Sequence, residues 1–399
     1  MKREKALVRK KLRIGIDCLY AVPGKTAGTW VFAKNLLEEL TDLDTENEYF
    51  VFLSSLAAAD FRLDRPNLRF VTSRIAGISV GTRLGFQNVG LPFLARYHRL
   101  DLIHSLGNYG PLRPLVRSVV TVHDILAPLD QRRSRGAGPK LQARTLDFLR
   151  DNSLRRADRI AVDSDFTRKD LVARYPFAGD KVRVVYGGLP RREPSPPISA
   201  QQLLAGKGIR TPYLLAVGLL DPRKNIVRLI EAFARLKYGA GIPHQLVLVG
   251  EPGANRVSLH AAVAQAAVKD FVVFTGFVSD VEVAAFYSAA DLFVFPSSME
   301  GFGLPLLEAM ANRVPVVCSN AGSLPEVAGD GALLFDPLEV GDMARAIKQV
   351  LQEPSLRARL VACGLKRVEL FSFRRAAEAT LALYEEVVLS KRGTSPAPG

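Results

Sequence analysis

The sequence predicts an α/β protein of two doubly wound, Rossmann-like parallel-sheet domains joined by a linker. Three observations carry that expectation. Short apolar runs alternate with helix-period segments along nearly the whole chain. A proline-dense stretch, Arg191-Arg192-Glu193-Pro194-Ser195-Pro196-Pro197, interrupts the alternation near the middle and suits neither a buried strand nor a helix. The chain has 399 residues, 48% hydrophobic and 24% charged, which exceeds one ordinary domain and supplies apolar material for two cores.

In the first half, 12–17, 49–53, 68–72, 101–104, 119–123, 159–162 and 182–186 read as buried strands, with helical patterns such as 30–40 and 143–154 between them. Beyond the prolines the alternation restarts. Strands are expected at 213–217, 245–249, 272–275, 292–295 and 315–319. Helices are expected at 227–237, 258–268, 281–289 and 304–311. The last pattern, 374–389, is long enough to pack back on the first domain. The expected division is therefore 1–190, a linker at 191–211, 212–373, and a returning helix with its tail at 374–399.

Composition excludes disorder, collagen and low-complexity classes. Three widely separated cysteines, Cys18, Cys318 and Cys363, argue against a disulfide framework or a cysteine zinc site and favour the cytoplasm. The basic start leads into Leu12–Asp17 without the apolar segment of a secretory signal, and no apolar run reaches membrane-spanning length. The net charge of +14 is uneven. Residues 1–190 hold 32 Lys and Arg against 20 Asp and Glu, and residues 191–399 hold 22 against 20. Arg83, Arg96 and Arg99, the Arg132-Arg133-Ser134-Arg135 cluster, and Arg155-Arg156 are candidates for an anionic membrane surface or a pyrophosphate-linked partner.

Ligands of such sheets bind beyond the carboxyl ends of the strands, so residues just after strands are the informative ones. The strongest signal follows 292–295: Pro296-Ser297-Ser298-Met299-Glu300-Gly301-Phe302-Gly303-Leu304-Pro305, continuing to Glu308. Pro305 suits a first helical turn, and the backbone N–H groups of Gly301, Phe302, Gly303 and Leu304 suit an anion at a helix start. Glu300 and Glu308 would repel a phosphate and suit hydroxyl groups, as on a sugar and a ribose. After 213–217 comes Gly218-Leu219-Leu220-Asp221-Pro222-Arg223-Lys224-Asn225, where Gly218 permits close approach and Arg223 with Lys224 suits a diphosphate. Two solvated cations at a turn explain that segment about as well.

His123, ending a buried strand in Val122-His123-Asp124, is a third candidate, and Gly28 opening the first helix a fourth. Gly24-Lys25-Thr26 resembles the end of a phosphate-binding P-loop, but Leu19 stands where its first glycine belongs. Asp163-Ser164-Asp165 resembles a metal-binding Asp-x-Asp. Capping of the helix that follows is the simpler expectation, and no metal site is expected.

Together these residues resemble the retaining glycosyltransferases of family four, whose fold is GT-B, with two Rossmann-like domains facing across a cleft. The resemblance covers nearly the whole chain. It is most specific from Pro212 to Pro337, through Glu300 to Glu308, the preceding 272–296, Gly322-Ser323-Leu324-Pro325-Glu326-Val327 and Leu333-Leu334-Phe335-Asp336-Pro337. It implies that the C-terminal domain takes a nucleotide-sugar donor, UDP- or GDP-linked, and the N-terminal domain a glycan or lipid-linked acceptor. Glu308 would hold the ribose and Glu300 the transferred sugar. Arg223 and Lys224 would bind the diphosphate and the backbone near Val278 the base. His123 would reach the sugar, and Gly28 would let the first loop approach the diphosphate. The chain has Leu219 where many members carry an arginine, and it lacks the doubled glycine of the first loop. Pro-Arg-Lys-Asn at 222–225 is similar to the mannosyltransferase-like branch and leans the donor toward GDP-mannose. Leaving-group charge would be met by Arg223, Lys224 and the loop amides without metal or cofactor.

Two alternatives remain at this stage. One is an epimerase or hydrolase of nucleotide sugars on the same frame, against which stands the absence of a motif around His244 and His260. The other is a non-enzymatic basic protein binding membrane or nucleic acid. Nucleic acid is not expected, because the chain lacks a stacking or recognition-helix pattern.

Overall fold

The computed structural model describes residues 11–22, 27–61, 63–74, 79–125, 137–191 and 200–390. Two compact units divide the chain: 1–186 with 373–399, and 187–372. The returning helix thus joins the first unit, with the crossings at 186/187 and 372/373.

The first unit runs β1 (Arg13–Asp17), α1 (Ala27–Leu43), β2 (Glu48–Leu53), β3 (Leu68–Thr72), α2 (Val80–Asn88), α3 (Gly90–Tyr97), β4 (Leu102–Ser105), β5 (Arg117–Val122), α4 (Ala137–Arg156), β6 (Arg159–Val162), α5 (Asp165–Arg174) and β7 (Val182–Val184). Its strands form one parallel sheet in the order β3-β2-β1-β4-β5-β6-β7. The apolar runs became strands because both sheet faces are covered. Ile14, Ile16, Leu102, Val119, Val122 and Ile160 are fully buried.

The second unit runs α6 (Ala200–Gly206), β8 (Tyr213–Val217), α7 (Ile226–Gly239), β9 (Gln245–Val249), α8 (Arg256–Gln265), β10 (Val272–Gly276), α9 (Asp280–Ala289), β11 (Leu292–Phe295), α10 (Leu304–Ala311), β12 (Val316–Ser319), α11 (Leu324–Ala328), β13 (Ala332–Phe335), α12 (Val340–Gln352) and α13 (Pro354–Val368). The sheet order is β10-β9-β8-β11-β12-β13, again parallel. Helix α7 shows why these segments are helical: Ile226, Leu229, Ile230, Phe233 and Leu236 recur at three- and four-residue steps and are all buried. The Ser279–Glu282 capping box starts α9.

Helix α14 (Phe373–Leu389) closes the first unit. Phe373, Ala376, Ala377, Leu383, Tyr384 and Val387 enter the core shared by β1, β2 and α1.

The linker expected at 191–211 is shorter than anticipated. Residues 192–199 lie outside the described residues, but 200–206 form α6, and Leu204 and Ile209 are buried in the second unit's core. The prolines had drawn the boundary too far along the chain.

Candidate active site

In the second unit the strand order reverses direction between β8 and β11, so the loops after these two strands flank one crevice. They bring together residues that lie 76 apart in sequence: Lys224 Nζ stands 2.5 Å from Glu300 Oε1. Each side chain is 15% exposed, and the ammonium also lies 4.9 Å from the centre of the Phe295 ring. The pair is therefore shielded enough for its charges to matter and open enough for a ligand to reach them.

The loop that carries Lys224 is tightly specified. Asp221 caps the single turn Pro222–Lys224, accepting from Arg223 N at 2.9 Å, and its other carboxylate oxygen holds the Arg223 guanidinium at 3.1 Å. Asn225 adopts a left-handed conformation, φ 57°, and its amide donates to the carbonyls of Pro337 (2.7 Å) and Pro296 (3.2 Å). Ser298 N and Oγ both donate to Arg223 O, tying the two loops to each other. Leu219 is half exposed. Gly218 has φ 138°, and a Cβ built there would lie 3.5 Å from Lys224 Cε. That distance is an ordinary contact, so the glycine is required for backbone conformation and not for space.

The Glu300 loop is buttressed from behind. Glu300 O accepts from Ser323 N (3.2 Å) and Ser323 Oγ (3.1 Å), and that hydroxyl also reaches Phe302 O. The Phe302 ring packs edge-on against Phe371 and over Gly187, so its ring is structural. Helix α10 begins at Leu304 behind Gly303, which is left-handed at φ 97°, and no side chain caps it. The run from Gly301 to Leu304 thus presents a helix start of the kind that favours an anion. About one turn along, Glu308 Oε2 accepts from Tyr287 Oη at 3.0 Å. Burial first, and then the charge of Glu308, push the Tyr287 phenol well above its ordinary value, so it stays a donor.

Val278 is buried after β10, and next to it Phe277 is 72% exposed. Phe277 N donates to Glu251 Oε1 at 3.0 Å. Sequence reasoning missed Phe277, Glu251, Asp221, Tyr287 and Ser323. Phe277 had the clearest signal, a large aromatic between a strand's glycine and a helix cap.

In the first unit His123 lies just after β5. Its Nδ1 is 2.6 Å from Asp163 Oδ2 and its Nε2 is 2.9 Å from Leu106 O, so both ring nitrogens already have partners within the unit. The helix cap expected at Asp163-Ser164-Asp165 is present and is made by the middle residue. Ser164 caps α5 through Thr167 N, whereas Asp163 turns to His123. Gly28 lies in the first turn of α1, where a Cβ would meet nothing within 4 Å. Packing does not demand a glycine there.

Arg83 also departs from expectation. It is buried, stacked 4.3 Å over the Tyr20 ring, rather than displayed on the surface. Arg155 is paired with Asp151, and the 132–135 cluster lies outside the described residues. Arg96 and Arg99 are exposed, beside exposed Val89, just before α3, and α3's Phe93 and Tyr97. His244 joins Asp291 and Arg357 at the amino-terminal edge of the second sheet, far along the strands from the crevice.

Residues 205–367 match the family described as "Glycosyl transferases group 1", and residues 26–192 match "Glycosyltransferase Family 4". The chain is 33% identical over 290 residues to O-antigen chain mannosyltransferase B of Escherichia coli, covering 71% of this chain and 74% of that protein. The chain belongs to glycosyltransferase family 4. Serotype-specific mannosyltransferase WbdA of Escherichia coli is 28% identical over 283 residues, which is 70% of this chain and 34% of that longer protein. Among solved structures, sucrose-phosphate synthase from Thermosynechococcus elongatus has a TM-score of 0.73 at 22% identity, covering 94% of this chain and 99% of that one. That likeness gives this glycosyltransferase the GT-B fold. The stretch shared with the first family description contains every candidate from Gly218 to Glu308, and the second contains Gly28 and His123.

Proposed function

We propose that this glycosyltransferase is a retaining hexosyltransferase that moves a mannosyl unit from a nucleotide-diphosphate sugar to a glycan or lipid-linked glycan. The observation that carries the reading is the Lys224–Glu300 pair beside the uncapped start of α10. A cation, a carboxylate and a helix N-terminus within one crevice match a ligand with a diphosphate at one end and sugar hydroxyls at the other. The mannosyl assignment draws on the named activities of the two Escherichia coli relatives and on Pro222-Arg223-Lys224-Asn225, and it favours GDP-mannose over UDP-sugars.

In this reading Glu308 takes the ribose hydroxyls, with Tyr287 fixing its carboxylate. Phe277 and the backbone of Val278 meet the base. Gly28 leaves room for the diphosphate, and His123 serves the sugar. The bond between the anomeric carbon and the diphosphate oxygen breaks as the acceptor oxygen bonds to that carbon on the same face. The acceptor's proton passes to the departing phosphate oxygen. The cost is chiefly the charge gathering on the leaving group, and donors already in place lower it most: Lys224, Arg223 and the amides from Gly301 to Leu304. When donor binds, Lys224 exchanges Glu300 for the diphosphate and frees the carboxylate for the sugar. Metal independence belongs to the same proposal.

The test is turnover of a panel of GDP- and UDP-sugars with a mannose-containing acceptor, in EDTA and with added Mg²⁺. Glu300→Ala and Lys224→Ala should each lose at least about 100-fold in kcat/KM. Equal turnover by wild type and both variants, or turnover abolished by EDTA, would refute the corresponding assignment. The anomeric configuration of the product, read by NMR, decides retention.

The acceptor reading includes peripheral contact with an anionic membrane from the cytoplasmic side. None of the described helices is long and apolar enough to cross a membrane. Val89, Phe93 and Tyr97, at four-residue steps, are 76%, 69% and 72% exposed, with Arg96 and Arg99 alongside. Co-flotation with phosphatidylglycerol vesicles but not phosphatidylcholine vesicles, weakened in Phe93→Ser/Tyr97→Ser, is the expected result. Equal flotation of wild type and double variant would remove α3 from the reading.

A further inference from the structure

His123 is bound in an unusual way for a group expected to touch a sugar. Both of its ring nitrogens face oxygens that accept: Asp163 Oδ2 at 2.6 Å and Leu106 O at 2.9 Å. A carbonyl oxygen has no proton to give, so Nε2 must donate to it. At Nδ1 the single shared proton could sit on either partner. The imidazolium is a weaker acid than the carboxyl by more than two pH units in their ordinary states, which places the proton on the ring. The ring then donates at both ends, as only the doubly protonated form can.

The surroundings hold this arrangement in place. His123 N donates to Asn108 Oδ1 at 2.7 Å, which anchors the backbone after β5. The Phe32 ring from α1 meets the imidazole edge-on, 4.9 Å between centroids. The side chains of His123 and Asp163 are only 15% and 10% exposed, so water screens the pair little.

The other titratable groups facing the ring are Asp124, directly after it, and His104 on β4. His104 is fully enclosed between Tyr384 Oη and Thr121 Oγ1. Its burial, and then the charge of His123, push it down to about 3, so it stays neutral and does not compete for the proton. Burial alone would lower His123 as well. The charge and hydrogen bond of Asp163 outweigh that, with help from Leu106 O and Asp124, and push His123 up to about 9.

We propose that Asp163 is a positioning residue that fixes His123 as a cation throughout the working pH range, so that His123 acts on the sugar as a constant positive charge and not as a proton acceptor. Asp163 acts only through His123. The inference rests on the reading that His123 serves the transferred sugar, and it adds the protonation state and the residue that sets it.

The test uses the full chain labelled with ¹⁵N-histidine, with the His123 ring signals identified by their loss in His123→Gln. In the wild type these signals should stay in the imidazolium range to pH 8.5. In Asp163→Asn they should titrate at about 6.5 or lower, because burial remains and the countercharge is gone. Asp163→Glu should restore a raised value. Turnover should follow the same order: at pH 8, Asp163→Asn should lose tenfold or more in kcat with little change in donor KM, and recover toward wild type near pH 6. Asp163→Glu should remain close to wild type at both.

A wild-type His123 that titrates near 6.5, or one that Asp163→Asn leaves unshifted, would overturn the proposal. So would a pH profile of turnover unchanged by a substitution that has shifted the titration. If the wild type transfers no sugar, the reading of function fails separately. The titration then decides on its own whether Asp163 holds the charge.

Discussion

Gly322 gives the most direct way to ask whether the backbone behind Glu300 is part of the catalytic apparatus. The residue has φ 64°, and a Cβ added there would lie 2.8 Å from both Glu300 N and Glu300 O. Gly241, in the same unit before β9, has the same φ of 64°, and a Cβ there would meet nothing within 4 Å. The two alanine substitutions therefore share one cost and differ in another. The shared cost is an L residue held in the left-handed region, about 1 kcal/mol, which corresponds to roughly 2–4 °C in Tm for a domain of this size.

Gly322→Ala adds a clash with backbone that cannot rotate away. To reach an ordinary contact of 3.4 Å from 2.8 Å, the Glu300 backbone must retreat by several tenths of an ångström. That movement pulls Glu300 O from Ser323 N and Oγ, and draws the carboxylate away from Lys224. Displacements approaching 1 Å at a reacting group cost up to about 100-fold, so Gly322→Ala should lose roughly 10- to 100-fold in kcat/KM. Gly241→Ala should keep wild-type kinetics and lose only the shared thermal stability. The assay pairs differential scanning fluorimetry with donor turnover. Equal kcat/KM for the two variants would show that the contact behind Glu300 does not set its position for catalysis.

Tyr287→Phe removes the hydroxyl that donates to Glu308 Oε2 and loosens the hold on that carboxylate, so donor KM should rise about tenfold with kcat nearly intact. Arg357→Ala breaks the two-pronged contact with Asp291 at the opposite end of the sheet from the crevice. It should lower the denaturation midpoint by the equivalent of about 1–3 kcal/mol while leaving kcat/KM per folded molecule unchanged. His123 has a folded value of about 9, raised above its ordinary one, so its contribution is complete below pH 6.5 and disappears as pH rises through 9. Urea midpoints at pH 6.5 and 9.5 should differ by an amount on the order of 3 kcal/mol more in wild type than in Asp163→Asn. A constant difference across both proteins would contradict the charge assigned to His123.

The fold was legible wherever a strand was buried on both faces, because such strands must be continuous apolar runs. Every strand expected from 12 to 186 has a counterpart within two or three residues, and so has each of those from 213 to 319. Legibility failed where local chemistry and tertiary burial disagree. The prolines and serine after Arg191 made 191–211 read as one linker, yet Leu204 and Ile209 carry enough apolar surface to seat α6 on the second core. Strand β13 was not among the expected strands, although Ala332-Leu333-Leu334-Phe335 is an apolar run, and it pairs with β12. Helix α3 escaped because it is short and buries only Leu91, Pro92 and Ala95, while Phe93 and Tyr97 face outward.

The site divides along the same physical line. Glu300, Glu308, Gly303 and Pro305 could be read together because one loop and one helix turn carry them all, so their spacing in sequence is their spacing in space. Lys224 could be found but not paired, since nothing in the 75 intervening residues says that the loops after β8 and β11 meet. Only the reversal of strand order between those strands says so. Asp163 is the extreme case. Its sequence neighbours Ser164 and Asp165 offered a complete explanation as a helix cap, and Ser164 does provide that cap. The cap needs only one of the three residues, however, and β6 lies beside β5 in the sheet. A carboxylate one residue past β6 therefore stands beside a histidine one residue past β5. In a parallel sheet, polar residues just beyond the carboxyl ends of adjacent strands are neighbours, whatever their distance along the chain. The strand order, once known, identifies Asp163 as the partner of His123 where local sequence could not.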